Sequence, residues 1–413
     1  MSERDHSATK HAGSGAWWTR GNFLERVVTD LLAAELGRMR PGLPPLPAPW
    51  APDVEFVRDL GADSLDLMGL GTALMDALHL GAGVDERLLA RPCLADWVDS
   101  ARAGLAVSDG ALTFRTSGSS GDPKRCTHAL ATLAQEAAAL AALVPGRRRI
   151  LSAVPSHHIY GFLFTVLLPQ RLGELAVIDV RQAAPAALAG LVRAGDLVVA
   201  HPAWWEGAAW CAPAFAADVV GVTSTAPCPD ALAEALAAAG LRLLQVYGSS
   251  ETAGVGWRDR ADTPFALLPH WTRADDPDAL LRMLPDGSTR SYPLQDRLDW
   301  TDARRFLPAG RIDAAVQVGG TNVFPAYVAD VLAQHPHVRE AAVRLMRPDE
   351  GRRLKAYVVA RPGADVVALR AGLPAWAAQR LAPPECPVAW TFGPRLPRQA
   401  SGKPADWIID AVP

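Results

Sequence analysis

Apolar residues recur at helical spacing soon after the start of the chain. Leu24, Val27, Val28, Leu31, Leu32 and Leu36 predict a helix opening near Asn22 and stopping by Gly37. Asn22 followed by Glu25 resembles a capping box, and Gly37 suits a C-terminal stop. A proline-rich loop, PGLPPLPAPWAP, leads to FVRDLGADSLDLMGLGTALMDALHL. There Asp63 can cap a helix whose apolar face includes Leu65, Met68, Met75 and Leu78, although Gly69 and Gly71 each weaken it by about 1 kcal/mol relative to alanine. A short helix at 94–98 closes a bundle, and 104–110 reads as a linker. Beyond it strand-like runs (112–115, 150–154, 197–200, 219–223, 243–247) alternate with alanine-rich helical runs (129–142, 186–193, 230–239), the pattern of an α/β layered domain. From Ile312 a smaller α+β unit follows, with strands near Val316, 341–344 and 354–359. No internal repeat is visible.

The chain has 413 residues, which predicts two or three domains, and its 49% apolar and 21% charged content fits globular folding. A net charge of −3 gives no electrostatic reason to bind nucleic acid. Lys10, Lys124, Lys355 and Lys403 are the only lysines, so each draws attention. Five scattered cysteines without a C-x-x-C pair predict neither a disulfide framework nor a zinc site, and point to a reducing cytoplasm. Residues 1–16 read as a flexible polar tail, not a signal peptide, and apolar runs are too short to predict a membrane span.

LTFRTSGSSGDPKRCTHA carries the most chemistry. A strand runs into Thr116, Ser117, Gly118, Ser119, Ser120 and Gly121, followed by Lys124: glycines let backbone amides converge on an anion, and hydroxyls add donors, which suits a polyphosphate. It is not a Walker A loop, because Asp122 and Pro123 stand between Gly121 and Lys124. The stretch resembles the phosphate loop of the adenylate-forming superfamily, which includes acyl-CoA synthetases, peptide-synthetase adenylation domains and luciferases. Further motifs follow in that family's order. QVYGSSETAG resembles its Tyr-Gly-x-Thr-Glu motif, with Ser250 where threonine is usual. The resemblance implies that Tyr247 packs on adenine and Glu251 holds Mg²⁺. GRID and GGTNVFP resemble the hinge and the strand after it, implying a ribose contact for Arg311 and a pivot at Asp313. Asp296, fifteen residues before Arg311, matches the ribose-gripping aspartate, with Asp299 a rival because YPLQDRLDW departs from the usual Thr-Gly-Asp. LPRQASGKPADW resembles the closing motif and nominates Lys403.

The implied reaction joins a carboxylate to the α-phosphate of ATP and releases pyrophosphate, so positive charge must meet the phosphates as charge shifts. The resemblance assigns that charge to Lys403 and to Mg²⁺ on Glu251. A pantetheine thiol then takes the acyl group once the lid has turned about Asp313, with Gly319 and Gly320 lining the thiol tunnel. VPSHHIYGF aligns His158 with the histidine that family members set beside the carboxylate, and His157 with an aromatic residue. No aspartate in that stretch could neutralise a substrate ammonium, which argues against an α-amino acid. SSETAGVGW is similar to ligases that use aryl acids. Trp204 and Trp205 read as core, and His335 and His337 as solvated.

DLGADSLDLM resembles the phosphopantetheine site of acyl carrier proteins, which implies 4′-phosphopantetheine on Ser64 at a helix N-terminus. The expected architecture is therefore multidomain: a flexible tail (1–16), an all-α four-helix carrier-like bundle (17–103), a shortened α/β adenylate-forming core (111–310) and a small α+β C-terminal lid (312–413). The expected partners are a carboxylic acid, a phosphopantetheinyl transferase and a separate carrier or downstream synthase. Two alternatives stand beside self-loading of Ser64: an acyl-CoA ligase with a structural bundle, and a non-catalytic scaffold derived from a ligase.

Overall fold

The computed structural model describes residues 16–40, 49–116, 124–184, 187–211, 214–312, 315–397 and 405–409. Five N-terminal helices come first: α1 (Phe23–Met39), α2 (Phe56–Leu60), α3 (Ser64–Leu78), α4 (Val84–Ala90) and α5 (Leu94–Val107). Asp63 caps α3 in a true capping box, its side chain accepting from the Asp66 amide while Asp66 accepts from the Asp63 amide. The buried stripe of α3 is Leu67, Leu70, Leu74 and Leu78; Leu65 and Met68, expected on the apolar face, point to solvent. Helix α5 runs on to Val107, so helix occupies part of the expected linker.

A hairpin follows, β1 (Ala111–Thr116) against β2 (Lys124–Ala129), with Thr116 opposite Lys124 across the mouth of the glycine-hydroxyl loop. The remaining elements of the core are α6 (Leu130–Leu143), β3 (Arg149–Ser152), α7 (Ile159–Phe162) continuing through a π turn into α8 (Leu168–Arg171), β4 (Ala176–Asp179), α9 (Leu188–Leu191), β5 (Asp196–Ala200), α10 (Pro202–Cys211), β6 (Val220–Thr223), α11 (Asp230–Ala238), β7 (Arg242–Ser249), β8 (Ala253–Arg258), β9 (Phe265–Leu267), β10 (Trp271–Arg273), β11 (Ala279–Met283), β12 (Thr289–Pro293), β13 (Asp296–Trp300) and β14 (Arg305–Arg311). Among the described residues a nine-stranded sheet runs β13-β14-β9-β8-β7-β6-β5-β3-β4, parallel from β4 to β7 and antiparallel beyond. Its central parallel strands β5 and β6 are buried at every position because both faces are covered. Leu197 and Val199 of β5 face one core cluster, whereas Val198 and Ala200 face another that contains Trp205, Leu232 and Leu236. Trp205 is thus core, as its sequence context predicts, and donates its indole N–H to the Val222 carbonyl.

The expectation of a carrier-like bundle with a core of its own is corrected here. Val27 and Leu31 of α1 and Leu78 of α3 belong to the same cluster as Leu112, Phe114, Phe162 and Val199. Polar ties cross the same boundary. Arg115 of β1 reaches Glu35 of α1 at 3.3 Å and Asp76 of α3 at 2.9 Å, and His79 meets Thr113 at 2.9 Å. The N-terminal helices are one wall of the catalytic body.

The C-terminal unit has a separate core. It opens with the hairpin β15 (Val316–Val318) and β16 (Thr321–Val323), whose two-residue turn, Gly319–Gly320, has positive φ at both positions, as a type I′ turn requires. Helices α12 (Pro325–Ala333) and α13 (Val366–Ala378) then pack on the sheet of β17 (Val338–Leu345), β18 (Leu354–Ala360) and β19 (Ala389–Phe392).

Candidate active site

A cavity of about 200 Å³ lies between the core and the C-terminal hairpin. Arg311, Gln317, Gly320, Thr321 and Asn322 line its lid side, and Glu136, Leu163 and Phe164, all nearly inaccessible, form its floor. Ile159, Tyr160, Val246 and Phe114 supply apolar walls, and the Tyr160 hydroxyl is turned away to donate to the Ala200 and Val222 carbonyls. Gly320 sits so near Thr225 that a Cβ there would stand 2.9 Å from its Oγ1. The hairpin thus closes over the cavity with the expected thiol-tunnel glycine against it, while Gly319 at the same turn stays exposed.

Three expected nucleotide residues come together beside this opening. The Tyr247 hydroxyl donates to Asp296 Oδ2 at 2.7 Å, and Arg311 Nε lies 3.7 Å from Asp296 Oδ1. Strand register makes the pairing: Asp296 faces Arg311 across β13 and β14. Asp299, the rival, is exposed and paired with Leu307.

Lys124, at the base of the glycine-hydroxyl loop, reaches Glu251 Oε1 at 2.6 Å. Burial works to raise the Glu251 carboxyl, but hydrogen bonds from Lys124 and Ser249 and the Lys124 charge hold it below its ordinary value. The side chain is therefore anionic at neutral pH, a hard oxygen donor that fits Mg²⁺ brought with a nucleotide. The Ser250 carbonyl lies 2.6 Å from His128 Nε2, which fixes the turn between β7 and β8.

His158 is the residue just before α7. Its ring is open to the first cavity and to a second of about 270 Å³ on its other side, yet protein surrounds it, and that burial lowers its pKa against the pull of Asp30. It is a neutral imidazole at pH 7. The second cavity is built from α1 and α3 (Val27, Leu31, Leu78), with His157 and, from the C-terminal unit, Ala382 and Glu385. Asp30 of α1 secures the histidine pair, accepting from Ser156 N at 2.6 Å and Oγ at 2.7 Å and pairing with Arg181 at 2.8 Å.

Ser64 is exposed at the first turn of α3, fourteen positions from Leu78 and so about 20 Å along the helix from the second cavity. Ser117, Gly118, Ser119, Ser120, Gly121, Asp313 and Lys403 lie outside the described residues, and Thr116 is described only as the last residue of β1. The ends of the Lys403 segment are described: Ala405 N donates to the Pro397 carbonyl, and fully buried Lys355 holds the Trp407 carbonyl at 2.7 Å and Asp406 at 3.0 Å. His335 lies against Trp376, and among the described residues no group of three or more His, Cys, Asp and Glu is arranged to hold a metal ion. None of their helices is long and apolar enough to cross a membrane.

Sequence reasoning missed Glu136, Arg282 and Thr225. A signal existed for the first, because Glu136 falls on the buried stripe of α6 with Thr132, Leu133, Ala137 and Leu140.

The arrangement is that of an AMP-forming acid–thiol ligase, and the chain belongs to the AMP-binding enzyme family. The family's model matches residues 84–275, and that of the AMP-binding enzyme C-terminal domain matches 327–403. A 4-coumarate–CoA ligase from Cereibacter sphaeroides is 41% identical over 365 residues, 84% of each chain. One from Halorhodospira halophila is 39% identical over 387 residues, 92% of this chain and 97% of the relative, and one from Rhodobacter capsulatus is 38% identical over 401 residues, 93% and 100%. Such coverage gives nearly all of the N-terminal helices counterparts in CoA ligases. The amide bond synthetase McbA from Marinactinospora thermotolerans shares the fold (TM-score 0.59, 19% identity, 92% of each chain), as does the o-succinylbenzoate CoA synthetase MenE from Bacillus subtilis (TM-score 0.58, 20% identity, 71% of this chain and 67% of that one). The chain therefore activates a carboxylic acid with ATP and ligates it to coenzyme A.

Proposed function

We propose that the acid is a hydroxycinnamate, with 4-coumarate the reference substrate. The main support is the 38–41% identity to 4-coumarate–CoA ligases over nearly the whole chain. The cavity agrees in chemistry, with apolar walls from Phe114, Ile159, Leu163, Phe164 and Val246.

In the first step the acid's carboxylate attacks the α-phosphorus of ATP, forming acyl-AMP and releasing pyrophosphate. Tyr247, Asp296 and Arg311 hold the nucleoside, while Ser117, Gly118, Ser119, Ser120, Gly121 and Lys124 cradle the phosphates. Mg²⁺ bound at Glu251 would neutralise phosphate charge, and the Lys403 ammonium stabilises charge on the transferring group. Neutral His158 orients the carboxylate without binding it as a counter-ion would. In the second step the lid has turned about Asp313, Gly320 stands beside the reacting carbonyl, and the thiol of coenzyme A displaces AMP.

Transfer to a pantetheine on Ser64 is the lesser reading. Ser64 begins a helix whose buried face joins the shared core, so a tethered domain that swings free is not what carries it. The test is acid-dependent pyrophosphate exchange over a panel of aryl, fatty and amino acids, followed by product analysis with coenzyme A. The expected result is strongest exchange with hydroxycinnamates, release of acyl-CoA that Ser64→Ala leaves unchanged, and a loss of about 100-fold or more in Lys403→Ala. Exchange with fatty acids alone, or acyl mass on the Ser64 peptide, would overturn the assignment.

A further inference from the structure

The floor of the cavity holds a charged pair that the reaction scheme does not use. Glu136 of α6 and Arg282 of β11 are both fully buried, with Arg282 Nη1 3.5 Å from Glu136 Oε2. Arg282 also donates to the Thr252 carbonyl at 3.2 Å and the Thr132 carbonyl at 2.8 Å, and lies over the Trp271 ring, while its Nε has no partner. Glu136 Oε1 accepts from the Gly254 amide at 2.7 Å, but Oε2 has no hydrogen-bond partner. A buried carboxylate oxygen without a donor is costly, and natural folds rarely leave one so.

Residue 254 preserves this arrangement. A Cβ there would stand 2.5 Å from Glu136 Oε1, so glycine is what lets the strand amide approach the carboxylate. Arg282 supplies charge beside Oε2 at the long distance of 3.5 Å, and Glu136 lines the cavity together with Leu163 and Phe164. A flat acid whose carboxylate lies beside His158 and the nucleotide must direct its other end toward this floor.

From this geometry, and resting on the hydroxycinnamate reading above, we propose that Glu136 is the specificity-determining acceptor for the ring hydroxyl of the substrate, with Arg282 holding the side chain in place. The occupant's chemical class is an aryl acid bearing a hydrogen-bond donor at the end opposite its carboxylate. Burial raises the Glu136 carboxyl, opposed by Arg282 and the Gly254 amide, and a donor arriving at Oε2 adds to the forces that favour the anion. Removing the substrate's donor leaves the desolvated acceptor unmatched, the circumstance in which an enzyme rejects an analogue lacking one hydroxyl.

The experiment compares kcat/KM in pyrophosphate exchange for 4-coumarate, cinnamate and 4-fluorocinnamate with the full-length protein. The wild type should prefer 4-coumarate by about 10- to 100-fold, the range of a hydrogen bond to a charged group. Glu136→Leu combined with Arg282→Met should compress that preference to about threefold or less while cinnamate turnover persists; replacing both members of a buried pair by apolar residues tolerates folding better than removing one. The near-ultraviolet absorption of bound 4-coumarate gives a second readout on unmodified protein, shifting to longer wavelength when the phenol donates to a carboxylate. Equal turnover of the three acids by the wild type, or an undiminished preference in the double variant, would overturn the role of Glu136 and leave the hydroxycinnamate reading standing. Exchange with none of the three acids would remove both.

Discussion

Replacing Asp30 by alanine tests whether the N-terminal helices are structural parts of the active site. Asp30 is buried on α1, and its carboxylate accepts two hydrogen bonds from Ser156, at 2.6 and 2.7 Å, while pairing with Arg181 at 2.8 Å. A hydrogen bond to a charged group contributes about 1.5–3 kcal/mol, and removing one partner of a buried pair costs about 3–5 kcal/mol. Arg181 keeps Asp179 and is partly exposed, so the upper figures do not apply, and a loss of about 3 kcal/mol is expected. For a chain of this length that lowers Tm by about 3–4 °C in a thermal melt. Ser156 stands two residues before His158, so kcat/KM in pyrophosphate exchange should fall by about tenfold or more. The pH profile has a definite sign. Burial lowers the His158 pKa and Asp30 pulls it back up, so the variant's histidine titrates lower still and its acid limb moves to lower pH. A variant melting within about 1 °C of wild type, with unchanged kcat/KM, would show that α1 is an appendage and refute the shared-wall argument.

Three further outcomes follow from the site. Tyr247→Phe removes the donor to Asp296 and should raise the KM for ATP about tenfold, corresponding to about 1.5 kcal/mol, with little change in KM for the acid. Lys124→Met removes the charge that holds Glu251 below its ordinary value, leaving burial to push that carboxyl up; the acid limb of kcat/KM for ATP should move to higher pH, whereas the wild type should show no Glu251 ionisation between about pH 6 and 8. Lys355→Met frees Asp406 and the Trp407 carbonyl just past Lys403, and should slow acyl-adenylate formation more than transfer of preformed acyl-AMP to coenzyme A, as separate half-reaction assays would measure.

The legible parts of the fold were those in which local pattern and tertiary role agree. The stripe from Leu24 to Leu36 gave α1, and the runs at 112–115, 197–200 and 243–247 fall within β1, β5 and β7. The 253–311 segment was opaque because its strands are short and interrupted by turns, and α10 was hidden in PAWWEGAAWC, which has no clear polar face. The carrier resemblance found no support for a different reason. Asp63, Ser64 and Asp66 carry a capping signal that any helix start can use, and a single sequence does not say what Leu70 and Leu74 will touch. They fall in one buried cluster with Leu112 and Phe114 of β1. In the site, the family's motifs located Tyr247, Glu251, Asp296 and Arg311, since recurring chemistry fixes both residue types and order. Glu136 and Arg282 belong to no such motif, and only folding brings α6 under β11.

These observations assign an unusual amount of work to one turn. Residues 245–254 bring Tyr247 to Asp296, Glu251 to Lys124 and the Gly254 amide to Glu136, all within ten positions. The β7 and β8 strands that flank the turn slip in register between Tyr247 and Gly248, and Ala253 is held at a positive φ. A regular hairpin would alternate successive side chains between two faces. The slip and the strained alanine instead let neighbouring residues meet Asp296, Lys124 and Glu136 from the turn between two central strands. Only three positions separate Glu251 from Gly254, so under the proposal for Glu136 a change at the acid's far end is expected to reach Glu251 through this backbone. An acid that fails to satisfy Glu136 should lose turnover as well as affinity.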